Sequence, residues 1–295
     1  MKPRILVTGA GGLIGRRVLD LLQPQYEPVA LVRDAGCVSS DVETIEADLG
    51  APDFAARLPT RMDGVIHLAQ SSDFARFPDG ARDVFAVNVH GLSAVLDWAR
   101  KSGVSQFVHA STGGVYGKGT GAFREEDRPR ISGTLAHYIS TKLAAELIAS
   151  AYAGLFSVAA LRFFFVYGEA QRKMMLLPRL VEAVMSGTPV TLAGSDGMRL
   201  NPIYIDDAAA ATVAALRLPG NSIVNIAGSE ILSIRQIAET IGEACGVEAK
   251  FQCTAKNDGD LVGDTRQMRE LLHCPAVSFR DGIARLIRAR SSGLV

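Results

Sequence analysis

The stretch Arg4-Ile-Leu-Val-Thr-Gly-Ala-Gly-Gly-Leu-Ile-Gly15 constrains this chain more than any other. An apolar run ends in T-G-x-x-G-x-x-G and passes directly into a helical pattern over 13–23. Glycine permits a tight turn and lets a ligand approach the backbone closely. The helix that follows offers free N–H donors and a dipole that favours an anion. Gly9, Gly12 and Gly15, with Leu13 and Ile14 between them, therefore read as the pyrophosphate cradle of a dinucleotide site. The competing reading is a bare strand-to-helix turn. The position of the loop at the first βα junction of an alternating chain favours the dinucleotide.

That alternation is the second constraint. Strands are expected at 4–9, 28–33, 43–47, 64–69, 106–111 and 157–164, and helices at 13–23, 52–58, 80–101 and 135–153. Near-continuous apolar strands separated by helices call for a parallel sheet covered on both faces. Right-handed crossovers then give an α/β doubly wound sheet, a Rossmann fold. Beyond residue 165 the rhythm changes to shorter elements, expected to form a smaller C-terminal α/β cap. The expected division is a dinucleotide-binding domain at 1–164 with a returning segment at 201–227, and a substrate-binding cap at 165–200 and 228–295.

Composition removes several function classes. The 295 residues carry 31 basic and 31 acidic side chains, a formal net charge of zero. No general field draws the chain to nucleic acid or an anionic membrane. No run approaches the roughly 18 apolar residues that span a bilayer. The basic start followed by apolar residues looks like a signal peptide, but its apolar part is short, glycine-broken and closed by Arg16 and Arg17. Cys37, Cys245, Cys253 and Cys274 form no C-x-x-C pair and read as reduced thiols. A cytoplasmic protein without a metal site is expected.

Two further features point to chemistry. The second strand ends in Val32-Arg33-Asp34, with valine where NAD binders usually place a carboxylate for the ribose 2′-hydroxyl. A guanidinium at Arg33 suits a 2′-phosphate, which favours NADP over NAD, although Asp34 stands next to it. Tyr138 and Lys142 lie four apart in a helical pattern, hence on one face. A free tyrosine has a pKa of about 10; a neighbouring ammonium and a cationic nicotinamide both favour its phenolate and so a general-base role.

These segments, together with "ASTGGVYG" (110–117), resemble the extended short-chain dehydrogenase/reductases, specifically the NAD-dependent epimerase/dehydratase family. The resemblance runs from the first strand almost to the C-terminus. It implies adenine contacts from "EADL" through Asp48 and Leu49, ribose contacts from "HLAQ" through Leu68 and Ala69, and a role for Asn88 of "NVHG" at the cofactor. It makes Thr112 the hydroxyl partner of Tyr138, with Ser111 its structural neighbour and Lys142 the ribose ligand. It also implies a nucleotide-sugar substrate and a homodimer through helices 80–101 and 135–153.

Departures from the family pattern narrow the expectation. Family members that eliminate water carry an acid/base pair where this chain has Gly113 and Gly114. That argues against a dehydratase by the family mechanism and leaves room for a bulkier substrate at these glycines. In "LRFFFVYG", Phe165 stands where the family supplies a phosphate-binding asparagine; Arg199 is the expected compensating substrate contact, with Arg172, Lys173 and Arg266 as further candidates. The expected activity is oxidoreduction at a sugar carbinol, most simply a nucleotide-sugar 4-epimerase. The alternative is an NADPH-dependent ketoreductase. A noncatalytic dinucleotide-binding protein would be expected to lose the tyrosine, the lysine or the hydroxyl, and all three are present.

Overall fold

The computed structural model describes residues 1–255 and 259–291. Its centre is a seven-stranded sheet built from β1 (Arg4–Thr8), β2 (Glu27–Val32), β3 (Glu43–Glu46), β4 (Gly64–His67), β5 (Gln106–Thr112), β6 (Ser157–Phe163) and β7 (Asn221–Ile226). The spatial order is β7-β6-β5-β4-β1-β2-β3, with every neighbouring pair parallel. Chain order reverses between β1 and β4, which opens a crevice at the carboxyl ends of the strands. Ile5, Leu6, Val7 and Thr8 are all buried, as a central strand covered on both faces requires.

Helices cover both faces. On one side α1 (Leu13–Leu22) packs against α6 (Ile205–Ala214), whose Ala208, Ala209 and Ala211 share a core with Val18 and Leu22. On the other, α2 (Ala81–Phe85) continues through a π turn (Ala86–Gly91) into α3 (Leu92–Lys101), beside α4 (Ala136–Ser150). A separate apolar core gathers Leu177, Val181, Leu192, Ile237, Ile241 and Ile283 from α5 (Leu176–Met185), strand Val190–Ala193, α7 (Ile234–Cys245) and α9 (Phe279–Ser291). Before α9 comes the short α8 (Arg266–Leu271).

The expected helix at 52–58 is only one turn of 3₁₀ helix, Phe54–Arg57. Pro59 explains it: a proline disfavours helical backbone at the residue before it, and Leu58 is extended at φ −73°, ψ 147°. The expected helix at 80–101 forms, but with the π turn inside it. No helix among the described residues is long and apolar enough to cross a membrane.

Candidate active site

The glycine loop closes on itself and on the loop after β4. Gly9 has φ +68°, and a Cβ there would lie 2.7 Å from the Ala69 nitrogen. A Cβ on Gly15 would lie 2.3 Å from the Gly9 carbonyl oxygen, so neither position tolerates a side chain. The amide of Gly12 donates to that same carbonyl at 2.9 Å. No side chain caps the start of α1 and no acidic residue occupies its first turn. Its first N–H groups are thus free to meet an anion. Gly9, Gly12, Leu13, Ile14 and Gly15 all line one cleft of about 2200 Å³. The loop fits a dinucleotide pyrophosphate.

Along the same cleft lie Arg33, Asp48, Leu49, Leu68 and Ala69. Arg33 makes no hydrogen bond or ion pair among the described residues, whereas Asp34 is engaged as a cap, accepting from the Gly36 amide at 2.9 Å. Asp48 likewise accepts from Gly50 at 2.9 Å. Asn88 departs from the expectation: it does not line the cleft. It is 2% exposed, accepts from the Ser71 amide at 3.0 Å and donates to Thr141 Oγ1 at 3.0 Å, tying the π turn to α4. Its task is to brace the loop after β4.

At the tip of β5, Thr112 faces the cleft and its hydroxyl accepts from the Gly114 amide at 3.1 Å. Tyr138 and Lys142, one turn apart on α4, line the same wall. The Tyr138 hydroxyl donates to Gln70 Oε1 at 3.0 Å. Burial raises the phenol above its ordinary range, opposed by a hydrogen bond with Thr112, so the resting group is protonated. Lys142 is 2% exposed, and burial lowers its ammonium to about 8, with the Glu146 charge opposing. Its Nζ has no hydrogen-bond partner among the described residues, which leaves it available to a ligand in the cleft.

Behind this wall lies a buried polar network. Ser111 donates to Glu146, whose carboxylate is held bidentately by Arg162 at 2.8 and 3.1 Å. Arg162 also donates to the Tyr116 hydroxyl at 2.7 Å, and Tyr116 donates to Asn225 at 2.9 Å. Both residues border the cleft, but the Ser111 hydroxyl is drawn to the buried Glu146 while the Thr112 hydroxyl meets the Gly114 amide. Beneath the lysine, His67 and His109 stack at 5.7 Å, both wholly buried. Burial, with the nearby Lys142 charge, lowers His67 to about 3 and His109 well below its usual value. They are neutral imidazoles, and only His67 Nδ1 has a partner, Thr8 Oγ1 at 2.9 Å.

Of the residues expected to meet a substrate, Gly114, Phe165, Arg172 and Lys173 line the cleft. Gly113 does not. A Cβ on it would fall 2.5 Å from the Phe164 ring, so that glycine serves packing rather than substrate room. Arg199 is also away from the cleft: its guanidinium donates through two nitrogens to one oxygen of Asp260, at 2.8 and 2.9 Å. Arg266 is engaged by Asp264 at 3.2 Å and lies outside the lining too. Among the described residues no His/Cys/Asp/Glu group could hold a metal ion.

Reasoning from sequence missed Gln70 as the partner of Tyr138, and it missed the Glu146–Arg162 pair. The second had a signal. Tyr138, Lys142 and Glu146 follow one another at i, i+4 and i+8, and Arg162 interrupts an otherwise apolar strand.

The fold and this wall define a class: a Rossmann-type dinucleotide-binding protein whose cleft brings a threonine, a tyrosine and a lysine together beside the glycine loop. The chain belongs to the NAD dependent epimerase/dehydratase family, whose model matches residues 5–227. It is 31% identical to a dTDP-glucose 4,6-dehydratase of Streptomyces griseus over 96% of this chain and 93% of that one. It is 29% identical to YtcB of Bacillus subtilis (strain 168), an uncharacterized UDP-glucose epimerase, over 98% of both. The solved UDP-glucuronic acid 4-epimerase of Bacillus cereus, in complex with UDP-glucuronic acid and NAD, shares the fold at TM-score 0.85 and 27% identity. That match covers 98% of this chain and 99% of that one. The expectation that dehydration is excluded is corrected by the first of these relatives. A chain this similar along its length bears the name of a dehydratase, so Gly113 and Gly114 do not rule that reaction out.

Proposed function

We propose that the protein is an NAD(P)-dependent nucleotide-sugar 4-epimerase. One observation carries the reading. Thr112, Tyr138 and Lys142 converge on one wall of the cleft that also contains the glycine loop. The relatives add the substrate class, since a UDP-glucose epimerase and a UDP-glucuronic acid 4-epimerase are among them.

A bound nicotinamide ring would supply the hydride acceptor and donor. Gly9, Gly12, Leu13, Ile14 and Gly15 would hold the pyrophosphate, Asp48 and Leu49 the adenine, and Leu68 and Ala69 the ribose face. Lys142 would take the ribose hydroxyls with its free ammonium. The Lys142 ammonium and the positive charge of a bound oxidised nicotinamide would favour loss of the resting Tyr138 proton to solvent. The phenolate would then take the proton of the sugar hydroxyl and later return it, while Thr112 holds the same oxygen by a hydrogen bond. The sugar is bound mainly by the cap elements, with Gly114 and Phe165 beside the reacting carbon. Arg33, unpaired at the end of β2, supports NADP as the preferred form. A cytoplasmic homodimer joined through the α2–α3 and α4 helices completes the reading.

A second reading, one-way reduction of a keto sugar by NADPH, is favoured by the same arginine. The test is incubation with UDP-glucose and catalytic NAD or NADP, followed by NMR of the sugar and absorbance at the reduced-nicotinamide band. Formation of the C4 epimer without net cofactor change is expected. Stoichiometric consumption of reduced cofactor with a keto sugar would replace the epimerase reading with the reductase. A 4-keto-6-deoxy product would replace it with elimination.

A further inference from the structure

Among the described residues only two that are not glycine have positive φ: Phe165 at 46° and Ala170 at 62°. Both line the cleft. Asparagine and glycine enter that region cheaply, whereas a bulky side chain is strained there and persists only where the surroundings impose it.

At Phe165 the surroundings do impose it. The amide of the preceding Phe164 donates to Ile226 at 2.9 Å, and the Phe165 carbonyl accepts from Ile203 at 3.4 Å. Immediately afterwards Val166 and Tyr167 pair with Ile203 and Tyr204. The chain turns here from the carboxyl end of β6, an interior strand, into the cap, and the kink aims the aromatic ring. The two neighbouring rings have different fates. Phe164 is 1% exposed, slotted between Gly113 and Gly263, at either of which a Cβ would collide with it. Phe165 remains only partly buried and touches two separate cores, one shared with Tyr138 and Leu261, the other the core of the cap. A ring retained for packing alone would be enclosed as Phe164 is. This one stands at the seam, open to the cleft and beside the proton-transferring phenol.

We infer that Phe165 is a specificity-determining residue: its ring is the apolar wall that receives the C–H face of the substrate's sugar ring next to Tyr138. The inference rests on the nucleotide-sugar reading and extends it. A hexose presents hydroxyls at its edge and C–H bonds on its face. Thr112 and Tyr138 take the edge, and an aromatic ring is the complementary partner for the face. A phenyl group offers nothing to a phosphate or carboxylate, which loses its hydration without compensation against such a wall. The diphosphate of the substrate is therefore held elsewhere, and Arg172 and Lys173 on the same cleft have the right charge for it.

The experiment compares wild type with Phe165→Asn, Phe165→Gly and Phe165→Tyr on UDP-glucose, recording KM, kcat, cofactor affinity and Tm. Asparagine and glycine both accept the backbone angle, so they remove the ring without adding strain. Both should raise KM about tenfold, the loss expected of one aromatic contact, with kcat within about threefold and cofactor affinity unchanged. Phe165→Tyr should retain the wild-type KM. An unchanged KM in the first two variants overturns the inference. So does a joint collapse of kcat, cofactor affinity and Tm, which would mark the ring as structural. If wild type turns over no UDP sugar at all, the nucleotide-sugar reading fails first and takes the inference with it.

Discussion

The Tyr138 hydroxyl donates to the side-chain oxygen of Gln70 at 3.0 Å, so the resting phenol is occupied as a donor by a group from the loop after β4. In the proposed reaction a sugar hydroxyl takes the place of that contact. Tyr138→Phe removes the hydroxyl to which the proposed mechanism assigns the proton transfer. Turnover should fall by at least about a thousandfold, while cofactor affinity stays within a few-fold because the glycine loop is untouched. Steady-state kinetics and a cofactor titration check both halves. Undiminished turnover in that variant would sink the mechanism.

Glu146 and Arg162 bury a charge pair, each side chain 4% exposed, and Ser111 hangs from it. Glu146→Gln leaves the guanidinium buried without its counter-charge, an error that costs about 3–5 kcal/mol. Urea unfolding of the variant should show that loss. Glu146→Gln combined with Arg162→Met should be less destabilised than the single change, because the stranded charge is gone. Equal stability of single and double variants would mean that the pair does not hold the tip of β5.

Gly113 and Phe164 are matched in size, since a Cβ on the glycine would sit 2.5 Å from the ring. Gly113→Ala should therefore lose about 1–3 kcal/mol through overpacking. Phe164→Leu in the same background should recover part of it, a coupling that residues in contact show and distant ones do not. Thermal unfolding of the two single variants and the double variant measures the coupling; strictly additive effects would contradict the packing.

The sheet was legible in the sequence because its strands are buried on both faces and so read as unbroken apolar runs, and because a glycine loop announces where the first one ends. That Tyr138 and Lys142 share one helix face was legible through their spacing, whereas Thr112 was singled out by the family resemblance; all three line the cleft. What the sequence hid depended on distant partners. Arg199 read as a spare cation until Asp260, 61 positions away, was found holding it. Asn88 read as a cofactor ligand, but the π turn directs it to Ser71 and Thr141. Gly113 read as an opening, and Phe164 fills it. Gln70 carried no signal, because nothing in the spacing of residues 70 and 138 brings a strand-end loop to a helix 68 positions later.

Lys142 makes stability depend on pH in a direction that can be worked out. Its ammonium has a reference value of 10.5 and is lowered by burial to about 8 in the folded chain. Below about pH 8 it is charged in both states, and the folded protein bears the full cost of burying that charge. Between about 8 and 10.5 the unfolded chain binds more protons than the folded one, so folding becomes more favourable as pH rises. Above 10.5 the group is neutral in both states and the gain is complete. The Lys142→Met variant lacks this dependence, and subtracting its stability from that of wild type removes the contribution of other titrating groups. In cofactor-free protein the difference should move in favour of wild type by at most roughly 3 kcal/mol across that window. Parallel stability curves from pH 7.5 to 10.5 would show that the ammonium is not desolvated as its burial implies. Its availability to a ribose hydroxyl would then need another basis.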